Sequence, residues 1–253
     1  MHLSRAIGTD SIAAFARSGH TLLSDEQGVA GLADIVLVQG VGLGASSLRP
    51  LAAALAPAAH VTWVELPGFG RTPPQDPIAL IREESEFLAA FLRISGAVLV
   101  GHSMGSAIVA GVAARHPSLV RRLVLIGPVT DPKARSIVRQ GIRLIVDTCL
   151  ESPATNLVVL REYAACGIRR YLIALEDMLR FDLEAAAPAV RQPTLIIRGL
   201  HDPIAPRGWC ESLVRRFPAG RVVQVAGGAH LVLHSHPNRV AAVIRAFVAD
   251  HDV

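Results

Sequence analysis

The sequence predicts an α/β fold, a doubly wound, mostly parallel sheet with a helical segment inserted late in the chain. Three observations predict it. Short apolar runs rich in β-branched residues recur along the chain, helical patterns separate them, and one interval between runs far exceeds what a single crossover needs. Unbroken apolar runs mark strands buried on both faces, and strands alternating with helices build a parallel sheet.

Taken in order, residues 1–34 show no clear strand pair or hairpin. The first strand signal is Ile35-Val36-Leu37-Val38, followed by a helical pattern over 46–57. Val61-Thr62-Trp63-Val64 precedes a helical pattern over 80–94, and Ala97-Val98-Leu99-Val100 precedes one over 104–116. Leu123-Val124-Leu125-Ile126 is the fourth run. The fifth, Thr194-Leu195-Ile196-Ile197, begins only after about twice the longest earlier spacing. That interval holds helix-like stretches near 133–150, 153–165, 167–180 and 182–187, with few strand signals. A helix over 207–217, the run Val222-Val223-Gln224-Val225 and a helix over 237–249 complete the chain. The expected division is a first core part at 1–129, a helical cap at 130–190 and a second core part at 191–253.

At 253 residues the chain suits one large domain. Hydrophobic residues at 51% against 18% charged fit a sheet covered on both faces. No apolar run reaches the roughly 18 residues of a membrane span. Asp10, Arg17, His20, Asp25 and Glu26 interrupt any basic-then-apolar leader, so a cytoplasmic location is expected. The net charge of +4 is not a binding signal, because Lys133 is the single lysine and the arginines are scattered without forming a stripe. Nucleic acid is therefore not expected as a partner. Cys149, Cys166 and Cys210 lack metal-type spacing and read as structural thiols.

Chemistry concentrates at Gly101-His102-Ser103-Met104-Gly105, which follows a strand run and opens an Ala-rich helix. Gly-x-Ser-x-Gly at such a junction forces a sharp, strained turn that lifts the hydroxyl clear of the sheet. Side chains at the two glycines would collide with the neighbouring strand and helix. A serine hydroxyl needs a base, and the base needs an orienting acid. Asp202 follows the fifth strand run, at the carboxyl end where the sites of parallel sheets gather, and His230 follows the sixth in Gly227-Gly228-Ala229-His230. The order Ser103, Asp202, His230 is that of a serine triad on this kind of sheet. Asp131 is the rival acid, and His234 and His236 are rival bases. His102 and His201 stand beside the nucleophile and the acid as neighbours. The backbone N–H of Met104 is one candidate oxyanion donor. Val41, in the loop Gln39-Gly40-Val41-Gly42-Leu43-Gly44, is the other.

With these residues in view, the chain resembles the α/β-hydrolase superfamily from about residue 33 onward. The resemblance rests on Gly101–Gly105, on Glu65-Leu66-Pro67-Gly68-Phe69-Gly70-Arg71-Thr72, on the strand segment 122–128, and on His230 followed by His236-Pro237 and a terminal helix. Departures are Gln39-Gly40 where the family usually has His-Gly, Glu65 for the usual Asp, Ser106 for a common third glycine, and no obvious pair of amino-terminal strands. The resemblance implies a serine hydrolase acting through an acyl-enzyme on a small ester, thioester or related acyl compound, with no metal or organic cofactor. Two alternatives stay open. One is a carbon–carbon bond hydrolase of a vinylogous diketone, and the other is a hydrolase-derived binding protein with little turnover. Gln39, Tyr163, Arg169 and Phe181 are candidate substrate contacts, and Tyr171 and Met178 are further candidates for the pocket. Arg169, Arg170 and Arg180 read first as a solvated face and second as an anion site. A homodimer is also left open.

Overall fold

The apolar runs become the middle of one sheet. The computed structural model describes residues 13–17, 20–29, 33–73, 76–92 and 96–250, and eight strands occur among them. They are β1 (Ala13–Arg17), β2 (His20–Gly28), β3 (Asp34–Val38), β4 (His60–Glu65), β5 (Ala97–His102), β6 (Val120–Ile126), β7 (Thr194–Gly199) and β8 (Gly220–Val225). Their order across the sheet is β1-β2-β4-β3-β5-β6-β7-β8. β2 runs antiparallel to both neighbours, and every other pairing is parallel.

Because side chains alternate across a strand, each central strand feeds two cores. Leu99, Leu123, Leu125 and Ile196 pack on one face with α2 (Ile81–Phe91), α3 (Met104–Arg115) and α8 (Arg207–Val214). Val98, Val100, Val124, Ile126, Leu195 and Ile197 pack on the other with α1 (Ala45–Leu55) and, near the C-terminus, the pair α9 (Val232–Ser235) and α10 (Pro237–Ala249). All residues of β5 and β7 are buried, which explains their unbroken apolar pattern.

The pair β1–β2 corrects the sequence reading of residues 1–34, which found no strands there. Its reason is chemical. β2 reads His-Thr-Leu-Leu-Ser-Asp-Glu-Gln-Gly, with only Leu22 and Leu23 apolar and acidic residues in its second half. Asp25 is buried but ion-paired with Arg71, at 2.6 Å, so a charged residue occupies an interior position that apolar periodicity cannot detect.

Between β6 and β7 lie α4 (Ile137–Leu150), α5 (Pro153–Cys166), α6 (Ile168–Arg180) and the single turn α7 (Leu183–Ala186). Ser136 and Ser152 cap α4 and α5, accepting from the N–H groups of Arg139 and Thr155, and Pro153 sits in the first turn of α5, where its missing N–H costs nothing. Asp177 of α6 accepts the Ile81 N–H of α2 at 2.7 Å, Arg170 donates to the Pro67 carbonyl, and Glu162 of α5 bonds the Ser46 hydroxyl. These contacts hold the inserted helices over the carboxyl ends of the strands. α4 is unusual. Its buried residues are Gln140 and Asp147, while Val138, Ile142 and Ile145 are 73%, 58% and 67% exposed. Among the described residues, no helix is long and apolar enough to cross a membrane.

Candidate active site

The turn between β5 and α3 carries Ser103 at φ 53 and ψ −118, left-handed backbone that a residue with a side chain rarely adopts. Tight packing holds it there. A Cβ on Gly101 would strike the carbonyl of Gly105, and one on Gly105 would strike that of Val38, so both positions demand glycine. The Ser103 N–H donates to Ile126 O of β6 at 2.9 Å, tying the turn to the next strand. Met104 opens α3, and the first N–H groups of a helix have no partner within it. Val41 is buried in the loop after β3, on the same side of the sheet ends as Ser103, and both line one cavity.

Asp202 lies in the turn after β7 and is held from three directions. Its Oδ1 accepts the N–H groups of Ile204 and Ala205, each at 2.8 Å, and its Oδ2 meets His230 Nδ1 at 3.0 Å. The buried Arg198 guanidinium fixes the same turn by donating to the carbonyls of Asp202 at 3.0 Å and Ala205 at 2.9 Å. Asp131, the rival acid, is engaged elsewhere, paired with Arg143 at 2.7 Å. His236 bonds its neighbour Ser235 at the start of α10, and His201 is exposed. The structure thus brings His230 and Ser103 to one cavity, with Asp202 bonded to the far side of the His230 ring. Among the described residues, no hydrogen bond joins the Ser103 hydroxyl to the His230 ring; such bonds tighten when substrate arrives.

Charge around His230 is unusual. Burial lowers its pKa, but the Asp202 charge and hydrogen bond, then Asp147 and Glu151, outweigh burial and raise it to about 9. Asp202 moves the opposite way. Burial pushes it up, yet the His230 charge and the three hydrogen bonds leave it below its ordinary value. His102, 1% exposed, has its ring centroid 4.9 Å from that of His230 and donates through Nε2 to the His230 carbonyl at 3.1 Å. Burial, then the His230 charge, lower its pKa to about 3, so it stays neutral and its Nδ1 is a buried acceptor with no partner among the described residues.

The cavity holds about 190 Å3 and is mostly apolar, lined by side chains that include Leu43, Val129, Leu144, Val159 and Met178. Tyr163 and Tyr171, with ring centroids 4.9 Å apart, stand over it from α5 and α6. Three expected substrate contacts are not part of it. Gln39 is fully buried and turned away, its amide donating to the Val64 carbonyl and accepting the Leu66 N–H at 2.9 Å. Arg169 is exposed on α6, and Phe181 packs on the hydrophobic core. A fully buried amide bonded to backbone is not presented to a ligand, and helix periodicity says nothing about which neighbour a face meets. Arg170, read as part of a solvated face, is instead buried against Pro67 and Gly68. Among the described residues, no Arg or Lys lines the cavity.

Several functional neighbours escaped the sequence reading. Glu65 accepts the Ala45 N–H at 2.8 Å and pairs with Arg71 at 2.6 Å, and Arg71 in turn pairs with Asp25. Glu65 thereby ties the end of the Val41 loop to β2 and β4. At the end of α4, Asp147 Oδ1 accepts the His230 N–H, and the C-cap residue Glu151 accepts the Leu231 N–H through Oε1, both at 2.9 Å. Burial raises the pKa of both carboxyls. Their signal was present: within 137–151 they are the only acidic residues, at the helical spacing of four, although the helix itself stops at Leu150 and Glu151 caps it.

Comparisons with known proteins agree with this architecture. A family model described as the alpha/beta hydrolase family matches residues 35–243. The chain is 29% identical over 247 residues to a pimeloyl-(acyl-carrier protein) methyl ester esterase of Aromatoleum aromaticum, covering 85% of this chain and 98% of that protein. It is 26% identical over 241 residues to polyketide synthase ThaQ of Burkholderia thailandensis, covering 85% of this chain but spanning only 12% of ThaQ. In structure it is similar to the enol-lactonase from Burkholderia xenovorans, with a TM-score of 0.80 at 21% identity, covering 94% of this chain and 100% of that one.

Proposed function

The chain belongs to the alpha/beta hydrolase family, and from that premise we propose that it is a serine hydrolase cleaving a small, uncharged ester, thioester or related acyl compound. One observation carries the reading: His230, joined to the buried Asp202 at 3.0 Å, shares a cavity with a serine held on strained backbone. Ser103 Oγ attacks the acyl carbon while His230 Nε2 takes its proton. Asp202 holds Nδ1–H and stabilises the imidazolium, and the N–H groups of Met104 and Val41 receive the developing oxyanion. Collapse passes the proton from His230 to the leaving oxygen or sulfur and leaves an acyl-Ser103. Water then attacks, with His230 as base, and frees the acid. No step requires a metal or organic cofactor.

The relative named a methyl ester esterase and the structural neighbour named an enol-lactonase both bear names for acyl–oxygen bonds, which favours an ester over a carbon–carbon bond. In this reading α4 to α7 act as a cap over the site, with core parts on either side of it. The cavity has room for a small acyl group, since an apolar space of about 150 Å3 already holds benzene. Apart from the His230 ring, which becomes neutral to act, its lining among the described residues offers the carboxylates of Asp147 and Glu151 and no Arg or Lys, which favours neutral acyl groups over those ending in a carboxylate.

A fluorophosphonate probe tests the reading. Stoichiometric labelling at Ser103, lost in Ser103→Ala and strongly slowed in His230→Ala, is the expected result. A well-folded protein that takes no label would instead point to a binding protein. In a panel of p-nitrophenyl esters, butyrate is expected to turn over at least about tenfold faster than hemisuccinate, given the cost of burying an unpaired carboxylate.

A further inference from the structure

α4 is built the wrong way round for a helix that only packs on a core. An ordinary surface helix buries its apolar stripe and exposes its polar one. Here Asp147 and Gln140 are buried, and Val138, Ile142 and Ile145 face outward. The inward polar face ends on the loop that carries the catalytic base. Asp147 accepts the N–H of His230, and Glu151, one turn further on, accepts the N–H of Leu231. These bonds link residues more than about eighty positions apart, and they join the inserted helices to the loop after β8.

We propose that Asp147 and Glu151 are positioning residues, a two-carboxylate clamp that makes the seating of α4 a condition for His230 to stand in line with Ser103. The inference deepens the serine-hydrolase reading and rests on it. Its physical basis is the backbone of the His230 loop. The loop follows Gly227 and Gly228, which do little to stiffen it, and the N–H groups of His230 and Leu231 lie inside the protein. Buried N–H groups without acceptors are costly, so the loop keeps this conformation only where acceptors meet it. Both acceptors come from the end of α4, Asp147 from its last turn and Glu151 from its C-cap. Lifting α4, as a substrate entering beneath it would, releases both bonds at once. Reseating α4 over bound substrate restores them together with the base. Titratable groups face His230 from three places: Asp202 from the turn after β7, Asp147 and Glu151 from the end of α4 and its C-cap, and the neutral His102 from the end of β5.

The test separates the acceptor from the charge. In Asp147→Asn/Glu151→Gln, amide oxygens still accept the two N–H bonds, while Asp147→Ala/Glu151→Ala loses them. Turnover of p-nitrophenyl butyrate is normalised to sites titrated with fluorophosphonate. The alanine pair is expected to lose about 10- to 100-fold in kcat, the scale of a small misplacement of a reacting group, with KM nearly unchanged. The amide pair is expected to keep kcat within about threefold at its own optimum. The removed charges should move the acid limb of kcat/KM down by about half a pH unit or more. An alanine pair within about twofold of the parent in normalised kcat, or an unmoved acid limb in the amide pair, overturns the clamp. Should the alanine pair not fold, Glu151→Ala and the amide pair apply the same criteria. NMR titration of the His230 ring needs no turnover. If the parent protein takes no label, the hydrolase reading fails, while an unshifted ring midpoint in the amide pair overturns the clamp separately.

Discussion

β5 and α4 are both apolar segments near the same serine, yet they behave as opposites. β5 buries every residue, and its pattern alone fixes its place at the centre of the sheet. α4 contains as many aliphatic side chains as its neighbours, but it exposes most of them and buries an acid and an amide. The difference is what each segment is stabilised by. A central strand owes its position to area removed from water on both faces. α4 is held largely by directed polar bonds, from its end to the N–H groups of His230 and Leu231, from Gln140 and Arg143 to the carbonyls of Ala134 and Ile204, and from Arg143 to Asp131, each of modest net worth. One region is built for permanence, and the other is built to be seated by a small number of contacts.

This contrast can be broken or sharpened by measurement. The largest effect is expected at the junction of the two regions. Asp202→Asn should keep the turn, since an amide oxygen still accepts from Ile204 and Ala205, yet lower kcat by about 10⁴-fold through the wrong imidazole tautomer. A loss below about tenfold in steady-state assays would move the orienting role elsewhere. Next is the sheet itself. Leu99→Ala, at a fully buried position of β5, should cost about 3 kcal/mol in urea unfolding without altering normalised kcat. A cost under about 1 kcal/mol would mean the core is less tightly packed than burial implies.

A third, smaller effect concerns pH. His230 is held at about 9, above its ordinary value, and a base must be neutral to act. Activity should therefore rise with pH, and kcat/KM should increase by at least about tenfold between pH 7 and 9. The stability linked to this histidine has the opposite sense. It is complete below the unfolded value near 6.5 and is lost as pH climbs through about 9. A flat profile over that range would show that the carboxylates do not act on the ring. The smallest effect is expected on the outer face of α4. Ile145→Ser, at a side chain 67% exposed, should change stability by no more than about 0.5 kcal/mol. A larger loss, with a change in elution volume, would show that a second molecule covers this face.

The same contrast explains what could be read from the sequence. Strands β3 and β5 to β7 were legible because burial on both faces writes itself as runs of Val, Leu and Ile, and β4 and β8 because enough of that pattern survives around Thr62 and Gln224. The serine elbow and the order of acid and base were legible because backbone strain and strand ends demand particular residues at particular places. β1 and β2 were not, since Asp25 is an interior residue only because Arg71 reaches it from another loop. Gln39 looked like a ligand contact and proved to be a backbone partner of β4. Asp147 and Glu151 left a trace, an isolated acidic pair one helical turn apart, but periodicity identifies a face without naming what it touches. Interactions between distant segments carry no local pattern.

The strained backbone at Ser103 has a consequence for how this lineage can drift. Left-handed geometry costs a serine about 1–3 kcal/mol and a glycine almost nothing, though glycine forfeits part of that gain through its freer unfolded chain. Replacement by glycine would therefore tend toward a sturdier molecule that has lost its nucleophile. Under selection for durability alone, the easy direction of change at this position is toward silence, and only a continued demand for turnover keeps the hydroxyl in place.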